Sequence, residues 1–308
     1  MRILVLGAAA GGGFPQWNCN CANCRRARAG DPAAPPRTQS SLAVSADGDR
    51  WVLLNASPDL RQQILANTVL HPRRDGRHSP IAGVVLTNAD VDHVAGLLSL
   101  REGAPFTLYA TDRVLAVLRA NAIFNVLDAD LVGRRAMPLD TPVELSDVDG
   151  RPLGLTVMAF PVPGKIALYL ENAAAGADFG TRAGDTVGLE ISADSTRRFF
   201  YLPACAAMPP DLAARLADAP LVFFDGTLWQ DDEMLAAGVG RKTGRRMGHM
   251  SVSGTDGALA AFAPLGVRRR VFIHVNNTNP ILLSDSPERA KVEAAGWEVA
   301  YDGMEIRL

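Results

Sequence analysis

The distribution of strand and helix signals along the chain restricts its fold more than any other feature. Short apolar runs such as RILVLG, IAGVVLT and PLVFFDG recur through both halves of the 308 residues and are bounded by Gly, Pro and Asp turns. Helical patterns such as TDRVLAVLRANAIFNVL lie between them. This mixture predicts an α/β protein with two stacked sheets and helices outside them, a four-layer αββα sandwich.

The same pattern predicts one domain over residues 1–308, because no linker rich in Pro or Ser divides the chain. We expect a strand at IALYLEN (166–172) and an exposed loop over 171–185. The opening RILVLG indicates a strand that leads into glycines rather than a signal peptide. We therefore expect a cytoplasmic protein, and a homodimer is compatible with the sequence.

Charge and hydropathy exclude two classes of partner. Acidic and basic side chains nearly cancel, 33 against 31, for a formal net charge of −2. Such a chain has no basic field to attract nucleic acid or an anionic membrane. No stretch reaches the roughly 18 apolar residues that a membrane span requires. We expect neither nucleic acid nor a membrane as a partner.

The glycine-rich loop GAAAGGG, after the first strand signal, resembles a dinucleotide-binding turn only superficially. Its glycines, at positions 7 and 11–13, lack the G-x-G-x-x-G spacing that places a pyrophosphate on a helix N-terminus. Cysteines follow the loop instead of a helix signal. We interpret the glycines as a tight turn before the cysteine cluster.

Three of the four cysteines, Cys19, Cys21 and Cys24, lie within CNCANC, and Cys205 is remote. Three thiols in six residues cannot all pair with one another, which argues against a disulfide framework. Clustered thiolates that share a zinc ion with one remote ligand are a common structural site. We expect structural Zn²⁺ in the loop at about residues 14–30; exposed, reactive thiols are the alternative.

Histidine is scarce, and the surroundings of three of the five histidines indicate a metal site. His71 and His78 lie in HPRRDGRH, which is typical of a solvated loop. The other three stand at strand ends or in glycine-flanked turns, where acidic and amide side chains also occur. Ligands of α/β sheets bind at such ends, and a metal ion would offset the cost of burying the carboxylates. The candidates are Asp90, Asp92, His93, Asp225, His249, His274, Asn276 and Asn277.

These motifs resemble a known family. TNADVDHVAGLL is similar to the H-x-H-x-D-H loop of the metallo-β-lactamase-fold superfamily, with Asn88 and Asp90 at the first two histidine positions and Asp92 and His93 retained. The cysteine cluster, LLNASPDLRQQI, FPVPGKIALYLE, FFYLPACAAMP and VFIHVNNTNPIL resemble a branch that acts in the biosynthesis of pyrroloquinoline quinone (PQQ). The resemblance runs along the whole chain and implies a metallo-β-lactamase-like αββα sandwich.

Departures from the superfamily pattern change the expected chemistry. Hydrolases of this fold usually hold two zinc ions, which stabilise the attacking and the leaving oxygen. Here two histidines are missing, and Ala204 and Cys205 stand in the segment that would supply a bridging aspartate. The resemblance therefore implies a single active-site ion.

That ion would be held by Asp92, His93 and His249, with Asp90 and Asp225 as additional ligands or as groups that orient the ligands. Two imidazoles and one carboxylate are the combination that leaves open positions on non-heme Fe²⁺ for dioxygen and substrate. The cofactors that we expect are thus Fe²⁺ with O₂ at this site and Zn²⁺ at the cysteines.

His274 has two candidate roles. In the superfamily a histidine at this late strand end binds the active-site metal in some members. In relatives with an N-terminal cysteine cluster, a histidine from this region completes the structural zinc. We expect the zinc role, because CNCANC supplies only three of four tetrahedral ligands. Cys205 is the alternative fourth ligand.

The resemblance implies an iron- and oxygen-dependent hydroxylase that acts on the tyrosine ring of a Glu-Tyr-derived PQQ precursor. The segment GRKTGRRMGHMS supplies Arg241, Lys242, Arg245 and Arg246, whose cations suit substrate carboxylates, and part of it is expected to form a substrate lid. A solvated basic loop is the alternative for this segment. Two other functions stay open: a non-catalytic carrier of PQQ or its precursor, and a metal-dependent hydrolase, which fold analogy alone would favour.

Overall fold

Two seven-stranded β-sheets form the frame of the protein. This is a computed structural model, and it describes residues 1–176 and 178–308. In chain order the strands are β1 (Arg2–Gly7), β2 (Ser41–Ser45), β3 (Trp51–Leu54), β4 (Ile81–Val85), β5 (Phe106–Ala110), β6 (Val132–Ala136), β7 (Pro142–Ser146), β8 (Pro152–Pro161), β9 (Val187–Ser192), β10 (Arg198–Leu202), β11 (Val222–Asp225), β12 (Arg270–Ile273), β13 (Trp297–Val299) and β14 (Glu305–Arg307). The strand orders are β14-β1-β2-β3-β4-β5-β6 and β13-β12-β11-β10-β9-β8-β7.

Short α-helices connect the strands or follow them. They are α1 (Ala22–Arg28), α2 (Leu60–Ala66), α3 (Val91–Val94), α4 (Asp112–Ala120), α5 (Pro210–Leu216), α6 (Glu233–Ala236), α7 (Gly244–Met247), α8 (Ala258–Phe262) and α9 (Pro287–Ala294). Turns of 3₁₀-helix lie at Thr68–Leu70, Ala95–Leu100, Ala122–Val126, Leu168–Leu170, Ala173–Ala175 and Pro280–Leu282.

Helix α4 shows how local sequence sets these elements. The Thr111 side chain accepts a hydrogen bond from the Val114 N–H, which satisfies one of the free donors at the helix start. Val114, Leu115 and Leu118 recur at helical spacing and are buried against the sheet. The helix ends at Ala120, and a 3₁₀ turn continues the run that the sequence predicted as one helix.

Three hydrophobic clusters account for the four layers. One lies between the sheets and includes Tyr109, Leu189 and Phe223, which are fully buried. A second packs α5, α8 and α9 on the outer face of the second sheet, and a third packs α2 and α4 on the outer face of the first. Burial of each large apolar side chain contributes about 1.5–3 kcal/mol. The predicted layer order is confirmed.

The parallel parts of both sheets direct polar segments to one edge of the molecule. Strands β3 to β6 run parallel in the first sheet, and β10 to β13 run parallel in the second. Strand β4 is followed by residues 86–93, β11 ends at Asp225, and β12 is followed by His274. The candidate metal ligands therefore lie where parallel strands end, as expected for α/β sheets.

The strand predicted at IALYLEN was wrong. IALYLEN (166–172) lies in a loop with one 3₁₀ turn, and Leu168 and Tyr169 are 54% and 46% exposed. WEVAYDGMEIRL contains two short strands, β13 and β14, that belong to different sheets. The predicted loop over 171–185 contains turns and a 3₁₀ turn, and residue 177 lies outside the described residues. In the described part of the chain, no helix combines the length and apolarity needed to cross a membrane.

Candidate metal centre

His93 on α3 is the clearest sign of a missing ligand. It is 1% exposed, and its Nδ1–H donates to Oδ1 of Asn88 at 2.7 Å. This bond leaves a free lone pair on Nε2, which is buried and has no hydrogen-bond partner among the residues that the structure describes. An unsatisfied buried polar atom costs about 1–3 kcal/mol. A metal ion would satisfy it, and the residues present thus fit a metal.

The second sheet contributes two further imidazoles. His249 follows α7, and its Nδ1–H donates to Oδ2 of Asp225 at 2.7 Å. His274 follows β12, and its Nδ1 lies 2.9 Å from Oγ1 of Thr227. The Thr227 hydroxyl in turn donates to Oδ1 of Asp225 at 2.6 Å. These bonds place the proton on Nδ1 of both rings and leave Nε2 free to bind a metal.

The groups of the two sheets meet at His274. Its Nε2 lies 3.0 Å from Oδ2 of Asp92, and its ring centroid is 5.3 Å from those of His93 and His249. With Nδ1 as donor, Nε2 and Oδ2 are two acceptors that face each other. Such a pair repels unless a proton or a metal ion lies between the two atoms. His274 also has φ +59°, a strained conformation for a non-glycine residue.

Two donor groups result, each with ligand atoms within 4.8 Å of one another. The first is Asp92, His93 and His274, and the second is Asp225, His249 and His274. The predicted ligands are divided between these groups: Asp92 and His93 lie in the first and His249 in the second, and His274 is shared by both.

Electrostatics favour a cation at this place. Burial lowers the pKa of His93 to about 4, against the opposing effect of Asp92, so the imidazole is neutral near pH 7. Burial alone would raise the pKa of Asp92, but His93 and His274 lower it below its ordinary value. A carboxylate with neutral imidazoles is a normal donor set for a transition metal.

Asp90 has another role in the structure. Its Oδ1 accepts a hydrogen bond from the Leu168 N–H at 3.0 Å. This bond attaches the loop 164–171 to the segment 86–93, which carries Asp92 and His93. Burial and the charge of Asp92 raise its pKa. Asp90 belongs to neither donor group among the described residues.

The cysteine cluster is a separate site. The sulfurs of Cys19, Cys21 and Cys24 lie within 4.8 Å of one another at the start of α1. The amide nitrogen of Asn277 lies 3.1, 3.6 and 3.3 Å from these three sulfurs, in the same order. The carbonyl groups of residues 277–279 accept hydrogen bonds from the Asn23 amide, which holds this loop against α1.

The expectation that His274 completes the cysteine site is corrected. Both ring nitrogens of His274 face other groups, Asp92 and Thr227. The physical reason is that β12 ends at the metal edge, and three more residues are needed to reach the cysteines, where Asn277 lies. Asn277, expected at a cofactor site, is therefore also corrected.

Cys205 does not provide the alternative fourth ligand. Its thiol donates to the Ala207 carbonyl at 3.1 Å, and its backbone N–H donates to Asp225. Burial and the charge of Asp225 raise its pKa to about 12, so it is a neutral thiol. The loop residue Asn276 contacts Thr278 rather than an open site.

The cations of the basic segment 240–251 pair with different carboxylates. Arg246 makes a two-point ion pair with Glu171, at 2.6 and 3.1 Å. Arg245 pairs with Asp256 on the surface, and both side chains are about two-thirds exposed. Arg241 has no ion pair among the described residues. Of the three predicted arginines, only Arg246 is thus joined to the loop that contacts Asp90.

The two remaining histidines belong to neither donor group among the described residues. His71 and His78 lie in the loop 71–80, where the His71 ring contacts the Leu65 carbonyl of α2 and the His78 ring accepts the Arg73 N–H. Sequence analysis missed Thr227 and Lys165. Thr227 follows Asp225 by two residues, a position from which a hydroxyl can bond the carboxylate, but that signal is weak.

The fold and the clustered metal donors define a protein of the β-lactamase superfamily. Residues 50–275 match the family model described as the β-lactamase superfamily domain. The chain is 59% identical to coenzyme PQQ synthesis protein B of Gluconacetobacter diazotrophicus over 304 residues, 99% of this chain and 98% of that protein. It is 56% identical to the protein of the same name from Rhodopseudomonas palustris over 311 residues, 100% of both chains. The chain belongs to the coenzyme PQQ synthesis protein B family.

Solved structures agree with this assignment. The zinc-bound PqqB of Methylobacterium extorquens has a TM-score of 0.94 and 53% identity, with 100% of both chains covered. A diphosphatase of the PhnP family has a TM-score of 0.68 and 20% identity, with 100% of this chain and 97% of that chain covered, and shows the fold alone. The predicted metallo-β-lactamase-like fold is confirmed.

Proposed function

We propose that this protein acts in PQQ biosynthesis as an iron- and oxygen-dependent hydroxylase of the tyrosine ring in a Glu-Tyr-derived intermediate. The role in PQQ biosynthesis is supported by relatives named for PQQ synthesis at 53–59% identity. The observation that carries the hydroxylase proposal is the convergence of Asp92, His93 and His274. Two imidazoles and one carboxylate would leave positions open on iron.

The donor geometry supports one active-site ion. The two donor groups share His274, whose Nδ1 is engaged with Thr227. An imidazole nitrogen has one lone pair, so Nε2 of His274 can serve only one ion. Asp92, His93 and His274 would hold that ion, and His249 would be an additional ligand. When bound, Fe²⁺ would supply the activation of dioxygen that hydroxylation of an aromatic ring requires.

Three residues of the chain fix the orientation of the imidazoles. Asn88 accepts the His93 proton, Asp225 accepts the His249 proton, and Thr227 faces the His274 proton. Such partners set the tautomer and the direction of a metal-binding ring. Both carboxylate oxygens of Asp225 are engaged in hydrogen bonds, because they also accept the N–H groups of Cys205 and Thr227. We therefore assign Asp225 an orienting role rather than a ligand role.

Exposed apolar side chains near the centre would suit an aromatic substrate. Val91 is 58% exposed next to Asp92, and Leu168 and Tyr169 are 54% and 46% exposed. The loop that carries the latter two is bonded to Asp90 and to the Ala89 carbonyl. An apolar surface of this kind favours an aromatic ring at the mouth of the site.

The three cysteines would hold structural Zn²⁺, with Asn277 as the fourth ligand. A half-turn of the Asn277 amide would exchange its nitrogen for Oδ1, an acceptor, in a place already within 3.1–3.6 Å of the sulfurs. This zinc would connect α1 to the loop after β12, and it would thereby support the position of His274.

A carrier of PQQ or its precursor is the second candidate, favoured by the cations Lys165, Lys242 and Arg246, which could bind carboxylates without turnover. Anaerobic protein loaded with Fe²⁺ would be mixed with Glu-Tyr dipeptide and ascorbate and then exposed to O₂. The hydroxylase inserts one oxygen atom into a ring C–H bond and reduces the other to water with two electrons from ascorbate. A product heavier by one oxygen atom supports the hydroxylase; unchanged dipeptide with tight PQQ binding supports the carrier.

A further inference from the structure

Glu171 is enclosed by three cations. Its carboxylate pairs with Lys165 Nζ at 2.8 Å, with Arg246 Nη2 at 2.6 Å and with Lys242 Nζ at 3.8 Å. The Glu171 side chain is 10% exposed, and that of Lys165 is 15% exposed. We call these four residues the carboxylate cluster. Partly buried ion pairs of this kind are stronger and less screened than surface pairs.

The carboxylate cluster joins two segments that both contact the metal centre. Lys165 and Glu171 lie on the loop 164–171, whose Leu168 N–H donates to Asp90. Lys242 and Arg246 lie on the segment that leads to His249. The cluster is therefore next to the metal centre and closes the gap between the two segments.

The charges within the cluster do not balance. Three cations face one carboxylate directly, which leaves an excess of positive charge for a further anion. Asp90 also experiences the field of Lys165, but its Oδ1 is already bonded to the Leu168 N–H. The Arg246 guanidinium lies 3.7 Å from the centre of the Phe179 ring, so this cation keeps a support that does not depend on Glu171.

We propose that Lys165, Lys242 and Arg246 form a carboxylate-binding site, and that Glu171 occupies it until a carboxylate of the ligand takes its place. The identification of this ligand with the substrate rests on the proposed function. Lys165 is thereby a binding residue, and Glu171 determines how tightly carboxylates bind. Displacement of Glu171 would release the loop 164–171 from the basic segment and open the metal centre.

The test is calorimetric titration of the full-length, zinc-loaded protein with glutarate, without oxygen and without turnover. Glu171→Gln keeps an acceptor in place but removes the competing charge, so we expect glutarate to bind about tenfold more tightly. Lys165→Met should bind it about tenfold more weakly. Metal content, measured for every variant, should not change.

Two matched controls change the same charges elsewhere. Glu298→Gln removes a carboxylate from an ion pair with Arg269, and Arg245→Gln removes a cation that pairs with Asp256. Both should bind glutarate as the unmodified protein does. Equal binding by all variants, or weaker binding by Glu171→Gln, would overturn the proposal. Because no turnover is measured, a failure here is distinguishable from a failure of the hydroxylase assay.

Discussion

Nε2 of His274 lies 3.0 Å from Oδ2 of Asp92, and this contact joins the two sheets at the edge where their parallel strands end. Asp92 follows β4 of the first sheet, and His274 follows β12 of the second. In the neutral ring with its proton on Nδ1 towards Thr227, neither atom has a proton to donate. The contact is therefore favourable only with a second ring proton, which Asp92 favours by raising the pKa of His274, or with a metal cation between the two atoms.

Replacement of His274 should separate the two metal sites. In His274→Ala the active-site donors lose their shared imidazole, so we expect the bound iron to fall below one-tenth of the normal amount while zinc is retained. Metal analysis of anaerobically purified protein measures both. His78→Ala, in the loop 71–80, is the matched control and should keep both metals. Loss of zinc with retention of iron would restore the assignment of His274 to the cysteines.

Replacement of Asn277 should have the opposite effect. Asn277→Ala removes the side chain that contacts all three sulfurs, so zinc affinity should fall by about 10–100-fold, as for other losses of a supporting group at a metal site. Competition with a chelator measures the affinity. Asn276→Ala, which removes an amide that bonds the Thr278 hydroxyl, should bind zinc normally. Equal zinc affinity in both variants would show that Asn277 is not a ligand.

Asp225 should act through His249. Asp225→Asn replaces the acceptor of the His249 proton, and the affinity for the active-site metal should fall by about 10–100-fold. Asp256→Asn, a surface carboxylate paired with Arg245, is the control. Iron binding that is unchanged in Asp225→Asn would mean that His249 needs no orienting partner.

Glu233 should make stability depend on pH. Burial raises its pKa to about 7 in the folded protein, although Thr278 and the Trp229 N–H bond its carboxylate. Because the folded pKa lies above the unfolded one, the contribution is fully present below about pH 4.5 and is lost as the pH rises through 7. Over this window the stability should fall by on the order of 3 kcal/mol through this group.

Urea unfolding at pH 5, 6, 7 and 8 checks the effect of Glu233. The difference in unfolding free energy between the unmodified protein and Glu233→Gln should change with pH in the stated direction. Glu293→Gln, an exposed member of a pair with Arg289, should show a difference that is nearly constant with pH. A constant difference for Glu233→Gln would show that the carboxyl group titrates normally.

The strand and helix periodicities predicted the four layers because each element buries an apolar face. IALYLEN was the exception, since Leu168 and Tyr169 face solvent in the loop beside Asp90 rather than a sheet. The pattern of a strand is the same in both situations. Only the tertiary position of Leu168 and Tyr169, which are exposed beside Asp90 and Ala89, distinguishes the two situations.

The candidate ligands were predictable as a set, and their grouping was not. Asp92 and His93 lie in one donor group, whereas His249, expected with them, lies in the other group with Asp225. His274 was expected at the cysteines, but Asn277 lies there. The reason is that the chain needs three more residues after His274 to reach the three sulfurs. Glu171 could not be connected to the basic segment from sequence, since its partner Arg246 is 75 residues away.

The most direct test of the central claim is an anaerobic titration of zinc-replete protein with Fe²⁺, in which bound iron is counted against protein chains. A single active-site ion held by Asp92, His93 and His274 predicts saturation at one iron per chain with zinc unchanged. Saturation at two irons per chain would contradict this claim, because Nε2 of His274, which the two donor groups share, can bind only one ion.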